Sequence, residues 1–192
     1  MNYLAHAYLS FDNKDVLIGN FIADTVKGSA HRFSDEIRKG IRLHHKIDAF
    51  TDSNSYFKES VKRIDHKFGL YGTIIVDMFY DHFLAANWSR YHQDSLPRFA
   101  QRVYAAVLTE YPILPMRMKR MLPHMMSSNW LVYYADANSF KNFFRGLATR
   151  TRFAPNLHEA AEEIHIHYQD LNDDFLKFMD EMIPYVKNLQ DY

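Results

Sequence analysis

The chain has 192 residues, of which 47% are hydrophobic, 16% aromatic and 24% charged, with only 6 Gly and 6 Pro; this excludes collagen-like, low-complexity and largely disordered chains and sets one domain around one core. Lys plus Arg (23) equals Asp plus Glu (23), so no overall field holds the surface onto nucleic acid or anionic lipid, and any basic recognition site must be local. Cysteine is absent, which removes disulfides, thiolate-ligated zinc, iron-sulfur clusters and a cysteine nucleophile, and leaves 11 histidines as the softest metal ligands.

The start, Met1-Asn2-Tyr3-Leu4-Ala5-His6, has neither a basic nor an apolar leader region, and nowhere do roughly 18 apolar residues run uninterrupted. A soluble, cytoplasmic protein without membrane or nucleic-acid partners is expected. Val16, Ile18, Phe21, Ile22 and Val26 recur at the helical period. Ser34 offers an N-cap to a second helix carrying Ile37, Ile41, Leu43, Ile47 and Phe50, which Asp52-Ser53-Asn54 closes; Ser55 to Phe68 continues as a third, and Gly69-Leu70-Tyr71-Gly72 reads as a turn. Thr73 to about Tyr91 predicts one long buried helix containing Asp77, Asp81 and His82. Pro97, Pro112, Pro115 and Pro123 punctuate the next stretch into helices near 98–110 and 116–126. Asn138 to Arg150 predicts another helix, 151–156 a connection, and Leu157 to about Tyr185 a long terminal helix. The fold class is therefore all-α: a single-domain bundle of about seven to nine helices over residues 1–192.

Four polar clusters interrupt these apolar patterns. His44 and Asp48 lie four apart on one helical face, where an imidazole and a carboxylate can meet one cation or one water; His45 points about 100° away. Asp77 and Asp81 share a face of the most apolar helix beside His82, and burying two carboxylates demands a cation, a donor network or protonation. A metal is the economical compensation. Asn20 and Asp24 are four apart, as are Asn2 and His6. Such nitrogen and oxygen donors from separate helices suit Mn²⁺, Mg²⁺, Fe²⁺ or Zn²⁺, and the matching chemistry is hydrolysis of a phosphate ester. Arg150, Arg152 and Lys27 are candidate phosphate clamps. The other histidines (31, 66, 92, 124, 158, 165, 167) read as surface. Phe140, Phe143, Phe144 and Trp130, with methionines 116, 118, 121, 125 and 126, read as core or an apolar channel. Arg117, Lys119 and Arg120, and Arg38, Lys39 and Arg42, form local basic patches.

Taken together, Asn2-Tyr3-Leu4-Ala5-His6, Gly19-Asn20-Phe21-Ile22-Ala23-Asp24 with Gly28, Gly40-Ile41 followed by His44 and Ile47-Asp48, Thr51-Asp52, Asp77 with Asp81-His82-Phe83-Leu84, Trp88, Trp130-Leu131 and Gly146 with Arg150 resemble the acyl carrier protein phosphodiesterase family. The resemblance runs from residue 2 to about 152 and fades beyond. It implies a metal-dependent hydrolase that removes 4′-phosphopantetheine from its protein partner, holo acyl carrier protein, and a divergent relationship to the helical HD phosphohydrolases. Those enzymes hold Mn²⁺ or a similar ion with a His, a His-Asp pair and an Asp. This sequence has no adjacent His-Asp dipeptide, only the reversed Asp81-His82 and the spaced His44 and Asp48. The expected metal ligands are His6, Asp24, His44, Asp81 and His82, with Asp48 and Asp77 as catalytic carboxylates, Arg150 on phosphate, and Mn²⁺ as first choice among divalent ions. The alternatives are a phosphohydrolase acting on a nucleotide or other small phosphodiester, and a helical binding module whose buried His and Asp residues are structural.

Overall fold

The computed structural model describes residues 1–28, 30–148 and 157–190, and these contain twelve α-helices and no strand. The helices are α1 (Tyr3–Tyr8), α2 (Lys14–Ile22), α3 (Asp35–Ser53), α4 (Ser55–Phe68), α5 (Gly72–Ala86), α6 (Trp88–Tyr91), α7 (Leu96–Thr109), α8 (Met116–Ser127), α9 (Trp130–Tyr133), α10 (Phe140–Ala148), α11 (Ala160–Ile166) and α12 (Tyr168–Gln190). The all-α class is as expected. The extra elements are short or are breaks in longer ones. Six-residue α1 is too brief to show a period; it forms because Asn2 caps it, its side chain accepting from the Tyr3 N–H at 2.9 Å. The helix expected over 73–91 stops at Asn87, whose side-chain amide donates to the Phe83 carbonyl and to Asn172 Oδ1, both at 2.9 Å. The expected terminal helix divides at His167, where the backbone leaves helical geometry (φ −109°, ψ 20°) and the chain restarts as α12. Pro123 and Pro184 both sit inside helices rather than ending them.

One core gathers Phe21, Phe79, Tyr80, Phe83, Phe99, Phe140, Phe144, Phe175 and Phe178, all nearly inaccessible to solvent. α5 supplies three of these, Phe79, Tyr80 and Phe83, and its nearly continuous apolar sequence follows from its position: it is surrounded by its neighbours on almost every side. No helix among the described residues is long and apolar enough to cross a membrane.

The feature that positions the site is the crossing of α2 and α3. A Cβ built on Gly19 would fall 1.9 Å from the Ile37 carbonyl oxygen, and one on Gly40 would fall 2.1 Å from the Val16 carbonyl oxygen and 2.8 Å from the Asn20 amide nitrogen. The two backbones touch, and only glycine on both sides permits it. The obstructing atoms are main chain, so no rotamer change relieves a clash. Gly40→Ala should therefore lower stability by about 3 kcal/mol, the upper part of the range for overpacking. Gly28→Ala, at a left-handed φ of 66° with no atom near a new Cβ, should lose only about 1 kcal/mol. Urea denaturation of the two variants checks the difference.

Candidate active site

The crossing sets the Asn20 and Asp24 end of the α2 segment against the His44 and Asp48 turns of α3, and α1 lays His6 over them. The rings of His6 and His44 are stacked, with centroids 3.9 Å apart and planes 16° from parallel. His44 Nε2 lies 3.2 Å from Asp24 Oδ1 and 3.1 Å from Asp48 Oδ2, while His6 Nε2 lies 3.2 Å from the other oxygen, Asp48 Oδ1. One carboxylate thus faces both imidazoles.

Asn20, buried, dictates which ring nitrogens carry protons. Its side-chain amide donates to the His6 carbonyl at 2.8 Å and to the Ser10 hydroxyl at 3.1 Å, which turns its Oδ1 toward His6 Nδ1 at 2.8 Å. Its backbone carbonyl accepts from His44 Nδ1 at 2.9 Å. Both acceptors are oxygens without hydrogen, so both imidazoles hold their proton on Nδ1, and Nε2 of each is the nitrogen aimed at the carboxylates. His6, buried and beside the positive His44, is lowered to about 4 and is neutral. Its Nε2 lone pair is buried and has no hydrogen-bond partner despite its closeness to Asp48. A cation would satisfy both that lone pair and the carboxylate oxygen facing it.

His44 shows how the protein meets part of that need with a proton: burial opposes its charge, but hydrogen bonds to Asp24 and Asp48 prevail and raise it to about 9. Asp48, although burial acts to raise it, is held well below the usual carboxylate range by its hydrogen bond to the protonated His44, and Asp24 is lowered by its bond to the same ring. Ligand atoms of His6, His44 and Asp48 lie within 4.8 Å of one another. Beside them is a void of about 10 Å³, lined by Met1, Tyr3, His6, Asn20, Asp24 and His44 among others, room for a single ion or water. Nε2 donors with Nδ1–H bonded to oxygen, plus carboxylates, form a donor set that fits a divalent ion.

The remaining expected residues fall elsewhere. Asp77 is half-buried and forms an ion pair at 2.6 Å with the Met1 amine, itself 3.8 Å from Asp48 Oδ1, so Asp77 stands just behind the cluster. Asp81 is not brought into it: fully buried, it accepts the N–H groups of Leu4 at 2.7 Å and Ala5 at 3.2 Å and caps α1. Burial pushes its carboxyl up to about 7 against those two amides. The compensation for the carboxylates of α5 is thus a donor network and an amine. His82 is also outside: its Nδ1 meets the Tyr134 carbonyl at 2.8 Å and its Nε2 the Tyr168 hydroxyl at 3.2 Å, which ties α5 to the segment after α9 and to the start of α12. Arg150 and Arg152 lie outside the described residues; Lys27 is exposed. His92 is not a surface residue: it is half-buried, stacked on Trp88 with centroids 5.3 Å apart, and accepts from the Asp94 N–H. Phe140 and Phe144 are core, whereas Trp130, Tyr133, Phe143 and Met78 line an aromatic cavity of about 450 Å³.

Fold and site together define an all-helical protein with a histidine and carboxylate cluster of metal-binding type. The family model of acyl carrier protein phosphodiesterase matches residues 1–182, and the chain belongs to that family. The match extends past residue 152, where the sequence resemblance seemed to end, through α11 and most of α12. The chain is 30% identical over 192 residues to a protein of Yersinia enterocolitica and 31% identical over 192 residues to one of Yersinia pestis, covering 99% of this chain and 100% of each relative. It is 30% identical over 185 residues to a protein of Salmonella paratyphi A, covering 95% of this chain and 96% of the relative. All three are named acyl carrier protein phosphodiesterase. No solved structure matches the chain.

Two variants separate positioning from capping. Asn20→Leu, which keeps the volume but removes both the acceptor and the amide, should weaken Mn²⁺ binding by about 10 to 100-fold, the usual effect of removing a partner of a metal-bound histidine, with helical content retained; titration calorimetry and circular dichroism read the two. Asp81→Ala should instead lower the melting temperature, because two buried amides lose their acceptor at about 1–3 kcal/mol.

Proposed function

We propose that this protein hydrolyses the phosphodiester between 4′-phosphopantetheine and a serine of holo acyl carrier protein, giving apo carrier protein and 4′-phosphopantetheine, with a divalent ion, Mn²⁺ first, held by His6, His44, Asp24 and Asp48. The observation that carries the reading is His6 Nε2, buried and unpartnered, facing Asp48 beside His44 Nε2. Membership of the family, whose relatives are named for this activity, supports the substrate and the bond. An ion bound there would polarise a phosphoryl oxygen and acidify a water.

The chain's own residues do the rest. Asn20 keeps both imidazoles in the tautomer that offers Nε2. Asp48 stays ionised beside its two histidines and, being half-exposed, offers its charge to the ion. The Met1 amine and Asp77 buttress that carboxylate from behind. Asp24, with its side chain 64% exposed, marks the open edge from which a phosphate approaches. Asp81 serves at one remove by fixing the start of α1, and so the position of His6 one turn along. An HD-type relationship rests on this His6, His44, Asp48 and Asp24 arrangement, in which the histidine and aspartate of α3 are separated by a helical turn rather than adjacent.

Incubating the protein with holo carrier protein, with Mn²⁺ or with EDTA, and weighing the carrier by intact mass spectrometry tests the proposal. Loss of the phosphopantetheine arm with Mn²⁺ alone is expected, and His44→Ala and His6→Ala should each lower turnover by at least about 10²-fold. An unchanged mass with every divalent ion would overturn the carrier reading, and turnover of small phosphodiesters instead would favour the nucleotide alternative. Binding of the ion must displace the proton shared by His44 with Asp24 and Asp48. Affinity for Mn²⁺ should therefore rise with pH up to about 9, where His44 loses that proton unaided, and level off above it; calorimetry in buffers of different ionisation enthalpy reads the proton release.

A further inference from the structure

Although the chain is neutral overall, from Tyr111 to Ala135 it contains no acid, while Arg117, Lys119, Arg120 and His124 all fall within α8. The cations sit in the first half of α8 with no acid in its first turn. That is the wrong end for them: the positive pole of the helix dipole repels cations there, and a helix charged for its own stability carries acids at its start. In the basic patch on α3 two of the three cations are paired, and only Arg42 has no ion pair among the described residues. There Arg38 is bonded to Asp35 and Lys39 to Glu36, and the acids stand in the first turn. On α8, Lys119 is engaged locally with the Pro112 carbonyl at 2.8 Å, whereas Arg117 and Arg120, exposed and three residues apart, have no ion pair among the described residues.

Apolar groups frame these two arginines. Met118, Leu122 and Met125 are buried and anchor α8 to the core, while Met116 is 62% exposed and Met126 38%. The candidate active site lies within electrostatic reach: burial and then Asp24 raise the Tyr3 hydroxyl, at the void beside His6 and His44, and Arg117 opposes them. An exposed methionine, Met116, next to unpaired cations suits an acidic helix with an apolar stripe.

We infer that the exposed face of α8, through Arg117 and Arg120 with Met116, is the surface on which the acidic carrier protein docks so that its prosthetic arm reaches Asp24. This rests on the proposed carrier-protein activity and adds to it where the protein part of the substrate binds. Carrier proteins are acidic, and charge complementarity selects this occupant over a second copy of the chain, whose α8 would repel.

The double variant Arg117→Glu, Arg120→Glu tests it. With holo carrier protein and Mn²⁺ at low ionic strength, KM should rise by about tenfold or more while kcat stays within about twofold, and the weakening of binding by salt expected of the unaltered protein should largely vanish. Arg38→Glu, Lys39→Glu changes the net charge by the same amount on the paired patch and should move KM by less than about twofold. Arg117→Lys, Arg120→Lys should restore most of the affinity, and hydrolysis of bis(p-nitrophenyl) phosphate should be alike in all variants. Fluorescence anisotropy with labelled apo carrier protein measures docking without cleavage. If the carrier is cleaved but neither KM nor anisotropy responds to the α8 reversal, the docking surface is wrong and the activity stands. If apo carrier binds through α8 while holo carrier keeps its mass, docking stands and the activity is wrong. An equal response to the α3 reversal would overturn the assignment to α8.

Discussion

Everything in the site depends on how closely two helices can approach. Gly19 and Gly40 let α2 and α3 meet backbone to backbone, and the same contact delivers the Asn20 carbonyl to His44 Nδ1 at 2.9 Å. Helices separated by ordinary side chains run about 8–10 Å apart, too far for a main-chain oxygen of one to orient a ring on the other. The glycines thus convert a packing choice into a chemical one: the proton of His44 is fixed on Nδ1, and Nε2 turns to the carboxylates. Asn20 extends the effect to His6 through its side chain. One residue on α2 sets the tautomer of two imidazoles from two other helices.

The electrostatics follow from that geometry. Two neutral imidazoles could sit together without charge, but two carboxylates within 3.2 Å of them favour a positive partner. The protein supplies one at His44, as a proton, and sets the buried Nε2 of His6 3.2 Å from Asp48 Oδ1. Behind them the Met1 amine compensates Asp77, and the start of α1 compensates Asp81. Three neighbouring carboxylates are therefore stabilised by three different means, and of the three only Asp48 faces two imidazole nitrogens, whose rings line a space of ionic size.

That division explains which residues were legible from spacing. His44 and Asp48 share a helical face by arithmetic, and their pairing within α3 is local. Asp77, Asp81 and His82 obey the same arithmetic, yet what each meets is decided by α1, by the turn after α9 and by α12, none of which the α5 sequence specifies. Asn20 was visible only as a polar neighbour of Asp24; its role needs a ring on α1 and another on α3. The α8 arginines read as one basic patch among two until the structure showed that the acids of α3 neutralise theirs and that α8 has none.

By itself, the sequence determined that the chain is an all-helical single core, that metal chemistry would have to rest on histidine and carboxylate rather than thiolate, and that its motifs resemble those of the family to which it belongs. These are properties of composition, period and motif, which survive without coordinates. Only the tertiary structure decided which polar residues converge, because convergence joins groups far apart in the chain, 24 positions for Asn20 and His44, through a helix crossing whose distance is set by two glycines. It brought His6, Asp24, His44 and Asp48 together, turned Asp81 into a helix cap, and gave His82 to the packing of α5.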